Sequence, residues 1–211
     1  MKLKVCGMRS PENIAAVAML APDYMGFIFY ERSKRFVGEE FNADALQAIA
    51  PNIKKVGVFV NATTEYVLDA AERFTLDAVQ LHGDEEPSAC ADIKQHHPDL
   101  LLLKAFGVDD AFAFETLTAY QASCDLFLFD TKTDEFGGSG RHFNWQLLTA
   151  YPLAIPFFLS GGLGLDDIQN IKNLRDKLPY LAGVDLNSKV EVEPGLKSIE
   201  LVKACIEALR I

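Results

Sequence analysis

Several reactive side chains in this sequence stand at the ends of short apolar runs. Cys6 closes the run 3–6, while His82 and Asp130 directly follow the runs 78–81 and 126–129. A thiolate takes a proton and a carboxyl group gives one, so Cys6 and Asp130 are suited to acid–base chemistry on the two faces of one sugar. The structural alternatives stay open, because cysteine often fills core space and a loop aspartate or histidine often bonds to nearby backbone.

Other residues are suited to binding anions. Arg35 ends the charged stretch 31–35, where its planar guanidinium can bond twice to a carboxylate, although such a stretch is also typical of a solvated loop. Two polar segments follow later apolar runs: Ser160-Gly161-Gly162 and Asn187-Ser188. Loops of this kind bind phosphate through backbone N–H groups, and the alternative is that the glycines only turn the chain. A glycine-rich stretch, 134–141, is typical either of a lid or of an ordinary flexible loop.

The elements that must position these residues are eight apolar runs separated by segments with helical spacing. The runs cover residues 3–6, 24–29, 55–60, 78–81, 100–105, 126–129, 156–159 and 181–184. They are short and apolar on both faces, which is typical of buried parallel strands. Between them, apolar residues recur at helical intervals, and Ser10-Pro11 and Thr63-Thr64 are suitable helix starts.

Eight strands alternating with about eight helices predict one α/β domain over residues 1–211. Two parallel architectures compete, an open doubly wound sheet and a closed (β/α)8 TIM barrel. The count of eight favours the barrel, and the segment Cys6-Gly7-Met8-Arg9 lacks the glycine pattern that an open dinucleotide-binding sheet places after its first strand. In such a barrel the active site lies at the carboxyl ends of the strands, which adds Asn61, Phe106 and Asp185 to the candidates.

Composition excludes several classes of partner. The chain carries 20 Lys and Arg against 30 Asp and Glu, a net charge of −10, which disfavours nucleic acid and acidic membranes but not a small anionic substrate. The four cysteines are widely spaced, so we expect neither a metal site nor disulfides. Free thiols, the absence of a secretory leader and the absence of a membrane-spanning apolar run predict a cytoplasmic protein. No apolar stripe demands a partner, so we expect a monomer.

Short motifs occur in a fixed order along nearly the whole chain: KVCGM from residue 4, GFIFY from 26, SKRFV from 33, VGVFVN from 56, VQLHG from 79, DTK from 130, GGSG from 137, FNW from 143 and SGGL from 160. In this order they resemble the phosphoribosylanthranilate isomerase family of tryptophan biosynthesis. The resemblance implies an aldose–ketose isomerase that needs no cofactor and no metal. Its reaction would be the Amadori rearrangement of N-(5-phosphoribosyl)anthranilate to 1-(2-carboxyphenylamino)-1-deoxyribulose 5-phosphate.

The resemblance also implies roles for individual residues. Asp130 would protonate the ring oxygen of the sugar, and Cys6, as a thiolate, would take the proton from C2. Arg35 would hold the anthranilate carboxylate and His82 would orient the substrate. The phosphate would bind to the backbone of four residues in the two polar segments: Gly161, Gly162, Asn187 and Ser188.

One departure from the family pattern lies in the second of these segments. The family usually has glycine where this chain has Lys189, and lysine adopts a positive φ less readily. Lys189 therefore either alters the phosphate contacts or adds a positive charge to them. Three alternative functions remain: a histidine-pathway isomerase, which is expected to carry aspartate where this chain has Cys6, an indole-glycerol-phosphate synthase, and a phosphate-binding barrel without catalysis.

Overall fold

A closed barrel of eight parallel strands forms the centre of the protein. The computed structural model describes residues 1–132 and 142–210. The strands are β1 (Lys2–Val5), β2 (Tyr24–Ile28), β3 (Lys54–Phe59), β4 (Ala78–Leu81), β5 (Leu101–Val108), β6 (Leu126–Thr131), β7 (Phe157–Leu159) and β8 (Leu181–Leu186). Each pairs with its neighbour in chain order, and β8 pairs with β1 to close the ring. The predicted TIM barrel is confirmed, with each predicted run matching one strand.

Some of the segments between the strands form 3-10 helices rather than α-helices. The described residues form five α-helices: α1 (Pro11–Ala18), α2 (Thr64–Arg73), α3 (Pro87–His96), α4 (Ile168–Leu174) and α5 (Ile199–Arg210). The described parts of the connections after β2, β5 and β6 contain 3-10 helices instead, at Ala43–Leu46, Phe114–Tyr120 and Trp145–Ala150. A helical segment therefore follows each of the eight strands, as expected, but those after β2, β5 and β6 are 3-10 helices rather than α-helices. After β2 the reason is local, because Pro51 disfavours α geometry at Ala50, so a helix that starts at Ala43 has room for only about two turns.

Where the sequence carries a good cap, the helix begins as predicted. Ser10 Oγ accepts a hydrogen bond of 3.2 Å from Asn13 N, and Pro11 occupies the first turn of α1. Thr63 Oγ1 does the same for Tyr66 N, at 3.3 Å, at the start of α2. These caps satisfy backbone N–H groups that have no partner inside the helix.

Side chains on each strand alternate between the barrel interior and the layer under the helices. On β1 and the residue after it, Leu3 and Val5 belong to the apolar layer between sheet and helices, whereas Cys6 lines a pocket at the top of the barrel. Lys4, between them, is fully buried on the interior side. The apolar runs thus place a few polar side chains inside the barrel, directly below its carboxyl-terminal mouth.

A small hairpin follows β8 and was not predicted. It consists of β9 (Glu191–Glu193) and β10 (Leu196–Lys197), which pair antiparallel. Gly195 in its turn has a φ of +88°, a conformation that other residues rarely adopt. The hairpin brings two charged residues, Glu191 and Lys197, back toward the mouth of the barrel.

Candidate active site

One pocket lies at the carboxyl-terminal mouth of the barrel, and it encloses about 700 Å³ including its open entrance. All eight residues chosen from the sequence line it: Cys6, Arg35, His82, Asp130, Gly161, Gly162, Asn187 and Ser188. They come from the ends of six different strands, because parallel strands in a closed barrel end on one face.

Cys6 sits on the floor of this pocket above a buried ion pair. Lys4, two residues earlier on β1, places its Nζ 3.0 Å from both carboxylate oxygens of Asp185 on β8. Burial raises the pKa of the Cys6 thiol above its ordinary value, while the Lys4 ammonium opposes that rise. Burial by itself lowers the pKa of Lys4, but Asp185 and Cys6 together raise it above its ordinary value. Lys4 is therefore a cation held next to the thiol.

The guanidinium of Arg35 is held by Glu191 at one side of the pocket. Nε lies 2.9 Å from Glu191 Oε1, and Nη2 lies 2.7 Å from Oε2, which is a two-point contact. Lys197 Nζ bonds the same carboxylate at 2.6 Å and Asn187 Oδ1 at 2.8 Å. Burial raises the pKa of Glu191, but Arg35 and Lys197 outweigh it and hold that pKa below its ordinary value. Glu191 therefore fixes the orientation of the Arg35 guanidinium in the pocket and bonds to one edge of it.

The side chains of His82 and Asp130 lie next to each other in the pocket. His82 Nε2 lies 3.4 Å from Asp130 Oδ2, and the other carboxylate oxygen accepts 2.7 Å from Thr131 N. Gln80 Nε2 lies 2.6 Å from His82 Nδ1, so an amide donating there leaves the proton of a neutral ring on Nε2. In that tautomer His82 donates toward Asp130. Gln80 Oε1 is buried in the pocket wall with no hydrogen-bond partner among the described residues.

The loop after β7 is shaped by two glycines with positive φ, +99° at Gly161 and +68° at Gly162. A Cβ on Gly161 would collide with Thr131 Oγ1 and come within 3.0 Å of Asp130 Oδ1, so only glycine fits beside the end of β6. In the described chain, nothing accepts the amide N–H groups of Gly161 and Gly162. Free N–H groups in a loop of this shape suit an anion.

Lys189 is accommodated without a positive φ. It lies in the 3-10 turn Ser188–Val190, and the non-glycine residues with positive φ in the described ranges are Ala21, Asn61 and Thr75. Its side chain is exposed, and its Cβ lies 3.2 Å from the place a Cβ on Gly164 would occupy. The lysine thus stands beside the glycine loop after β7.

Two further strand-end candidates have structural surroundings and are not among the residues lining the pocket. Asn61 Oδ1 accepts 2.7 Å from Asp84 N, and Asn61 N donates 2.8 Å to Glu85, which ties the ends of β3 and β4 together. Phe106 packs edge-on against Tyr120 and Phe127, at ring distances of 5.1 Å. The glycine-rich stretch 134–141 lies outside the described residues.

The sequence analysis missed four residues that set the chemistry of the pocket: Lys4, Gln80, Glu191 and Lys197. The sequence around these residues gives little indication that they belong to a site, because each occurs in a segment that is typical of a strand or of a charged loop. Within residues 1–132 and 142–210, no group of three or more His, Cys, Asp or Glu side chains is placed to hold a metal ion. No helix in the same ranges is long and apolar enough to cross a membrane.

Comparisons with known proteins agree over the whole chain. A family model described as N-(5'phosphoribosyl)anthranilate (PRA) isomerase matches residues 3–208. The N-(5'-phosphoribosyl)anthranilate isomerase of Parabacteroides distasonis is 46% identical over 212 residues, which cover 99% of this chain and 93% of that protein.

Solved structures agree with the sequence comparisons. The crystal structure of phosphoribosyl anthranilate isomerase from Thermotoga maritima has a TM-score of 0.85 and 34% identity, over 100% of this chain and 98% of that one. A second crystal structure of such an isomerase, in complex with reduced 1-(o-carboxyphenylamino)-1-deoxyribulose 5-phosphate, has a TM-score of 0.82 and 30% identity over the same shares. The chain therefore belongs to the N-(5'-phosphoribosyl)anthranilate isomerase family, and it is an isomerase of tryptophan biosynthesis.

Proposed function

We propose that this isomerase performs an Amadori rearrangement of N-(5-phosphoribosyl)anthranilate by acid–base catalysis, with Asp130 as the acid and Cys6 as the base. The observation that carries the proposal is that both groups line one pocket whose rim also holds an arginine and a glycine loop. The strands that carry them, β1 and β6, are three positions apart around the ring, so a sugar between them has a proton donor and a proton acceptor on different sides.

Asp130 begins the reaction in its protonated form. It gives its proton to the furanose ring oxygen as the bond from C1 to that oxygen breaks, and the anthranilate nitrogen then forms a double bond to C1. Cys6, as a thiolate, removes the proton from C2. The electron pair of that bond forms a double bond between C1 and C2, while the second pair of the C1–N double bond returns to nitrogen. The resulting enolamine gives the proton of its C2 hydroxyl group to the Asp130 carboxylate and takes the proton of Cys6 at C1, which gives the ketone and restores both groups. Removing a proton next to an iminium group needs only a moderate base, and a thiolate near cations qualifies.

Two anionic ends of the substrate fix the ring between these groups. Arg35, held in place by Glu191, binds the anthranilate carboxylate with the edge of its guanidinium that Glu191 leaves open. The N–H groups of Gly161 and Gly162, together with Asn187 and Ser188, bind the phosphate. His82 donates to Asp130 and orients the sugar beside it. No step requires a metal or an organic cofactor.

Lys189 adds a positive charge to the phosphate end of the pocket. It stands beside Gly164 with an exposed side chain, and a phosphate attracts a lysine as a point charge. We expect Lys189→Ala to raise KM severalfold with little change in kcat, while Lys203→Ala, an exposed lysine on α5, leaves both unchanged. An unchanged KM in Lys189→Ala would remove this lysine from the phosphate site.

We further propose that the enzyme acts as a monomer in the cytoplasm. The large apolar side chains that the described residues expose come from different parts of the chain, and the most exposed are Met19, directly after α1, and Val192 on the hairpin. Four free cysteines are consistent with a reducing compartment. Sedimentation equilibrium over a range of concentrations tests the monomer, and a mass of two chains at micromolar concentration would contradict it.

The acid–base assignment is tested by following the fluorescence of phosphoribosylanthranilate, made fresh from anthranilate and phosphoribosyl pyrophosphate. We expect wild type to consume it without added metal, and Cys6→Ala and Asp130→Ala to lose about two orders of magnitude or more in kcat. Cys205→Ala is the matched control, because Cys205 is also buried but lies in α5, away from the pocket. A Cys6→Ala or Asp130→Ala enzyme as active as Cys205→Ala would refute the assignment.

A further inference from the structure

Lys4, Cys6 and Asp185 form a single group inside the top of the barrel. Lys4 and Asp185 are register partners on β1 and β8, and their side chains form a buried pair at 3.0 Å with exposed fractions of 0% and 4%. Cys6 follows Lys4 by two residues, so both side chains leave β1 on the interior face. An ammonium, a carboxylate and a thiol are therefore enclosed together, and of the three Cys6 and Asp185 line the pocket.

Gly26 on the neighbouring strand β2 is the reason that the thiol and the ammonium can meet. A Cβ on Gly26 would lie 2.8 Å from Cys6 Sγ and 3.2 Å from Lys4 Nζ, so the sulfur and the nitrogen are at most about 6 Å apart. Any larger residue at this position would occupy the space that the two groups share. At such a distance an ammonium stabilises a thiolate strongly when little water lies between them.

We propose that Lys4, anchored by Asp185, is the positioning residue that makes Cys6 a base, because its ammonium offsets the cost of forming a buried thiolate. The inference rests on the proposed role of Cys6 and adds the group that makes that role possible. Burial raises the pKa of Cys6, and Lys4 is the strongest opposing influence. With Lys4 present the pKa of the thiol is still above its ordinary value, and without a cation burial would raise it further.

The other charged groups around Cys6 act on the thiol in opposite directions. Lys197 on β10 lowers the pKa of the thiol less strongly than Lys4, while the carboxylate of Asp185 raises it. Lys197 and Arg35 share one carboxylate, Glu191, so this side of the pocket has an excess of positive charge. Burial raises the pKa of Asp185, Lys4 opposes that rise, and of the two groups nearby Asp130 adds to it while His82 opposes it. Burial also lowers the pKa of Lys197 below its ordinary value. Lys4 is therefore the main cation acting on the thiol.

The test is a titration of Cys6 in the free enzyme. The ultraviolet absorbance of the thiolate is followed against pH, and the same titration of the Cys6→Ala variant is subtracted to remove the other three cysteines. We expect Lys4→Met to raise the midpoint by about one to three pH units. At a fixed pH below the midpoint, kcat then falls about tenfold for each unit. Lys4→Arg keeps the charge, so we expect a midpoint close to that of wild type.

The substitution Asp185→Asn shows whether the buried ion pair acts on Cys6 through its charges or only through the structure. Removing the carboxylate that repels the thiolate lowers the midpoint, which is the opposite direction from Lys4→Met. Lys104→Met is the matched control, because Lys104 is also buried and paired, 3.1 Å from Glu85, but its pair lies on the β4 and β5 side of the barrel. We expect it to lower stability without moving the Cys6 titration.

An unchanged midpoint in Lys4→Met, or a shift in the same direction in Lys4→Met and Asp185→Asn, would overturn the inference. If Lys4→Met does not fold, the Asp185→Asn titration decides alone, and a midpoint that is not lowered overturns it. The titration needs no turnover, so this result is independent of the activity of Cys6→Ala, which tests the base assignment itself.

Discussion

The substitution Glu191→Gln tests whether the hairpin holds the charged side of the pocket together. Glutamine keeps the size of the side chain and one acceptor oxygen, but it removes the charge that Arg35 and Lys197 share. The side chains of Glu191 and Lys197 are 4% and 0% exposed, and that of Arg35 is 16% exposed. The substitution therefore leaves two cations side by side, one of them fully buried, with no anion between them.

The size of the effect follows from this burial. Removing one partner of a buried ion pair costs about 3–5 kcal/mol. The lower end applies, because Arg35 keeps some contact with water and the glutamine oxygen can still accept from Gly195 N, which now lies 3.0 Å from Oε1. We expect the free energy of unfolding to fall by about 3 kcal/mol. For a chain of this length, that corresponds to a Tm lower by roughly 6–12 °C.

Urea unfolding followed by circular dichroism measures this change, with Glu207→Gln as the matched control. Glu207 also faces a lysine, Lys203, but at 3.9 Å and with 61% of its side chain exposed, so its loss should change the free energy of unfolding little. If Glu191→Gln cost no more than Glu207→Gln, the shared carboxylate would not stabilise the fold, and the fixed orientation of Arg35 would need another cause.

Three further predictions concern the same pocket. Because Arg35 and Lys197 outweigh burial and hold the pKa of Glu191 below its ordinary 4.5, its stabilisation is complete above that pH and is lost as pH falls through the lower folded value. The difference in unfolding free energy between wild type and Glu191→Gln should therefore shrink below about pH 4.5, and a difference that grows would contradict the sign. Arg35→Lys loses the fork that binds a carboxylate, so we expect KM to rise about 10- to 150-fold while the Ki of inorganic phosphate stays unchanged. Gly161→Ala forces a Cβ against the end of β6 at a φ of +99°, so we expect kcat to fall through displacement of Asp130 and Tm to drop, and wild-type values of both would show that the loop adapts.

The barrel was predictable because each strand is a local signal. A run of four to eight apolar residues predicts a strand without knowledge of its partners, and the count of eight then favours closure. The helical layer was less predictable, since a 3-10 turn and an α-helix carry similar apolar spacing over one turn. Residues 46–50 illustrate this, because their spacing suits a helix but the structure forms only the 3-10 turn Ala43–Leu46.

The position of the proposed acid and base was predictable for the same local reason. Cys6 and Asp130 each close or follow an apolar run, and in a parallel barrel that position alone directs a residue to the mouth. Asn61 and Phe106 occupy equivalent positions yet serve the scaffold, through a hydrogen bond and a ring contact respectively. A position at a strand end therefore selects candidate site residues. The contacts of each side chain then distinguish residues that line the pocket from residues that support the scaffold.

The partners that set the charge of those groups were not predictable. Lys2 and Lys4 have the same side chain on the same face of β1, yet Lys2 is exposed at the bottom of the barrel and Lys4 is fully buried. What distinguishes them is Asp185, which is 181 residues away along the chain and reaches Lys4 only when β8 closes the barrel on β1. A buried lysine is tolerated only where such a partner arrives. Local sequence thus selects the proposed acid and base, whereas their protonation depends on contacts that exist only after the ring has closed.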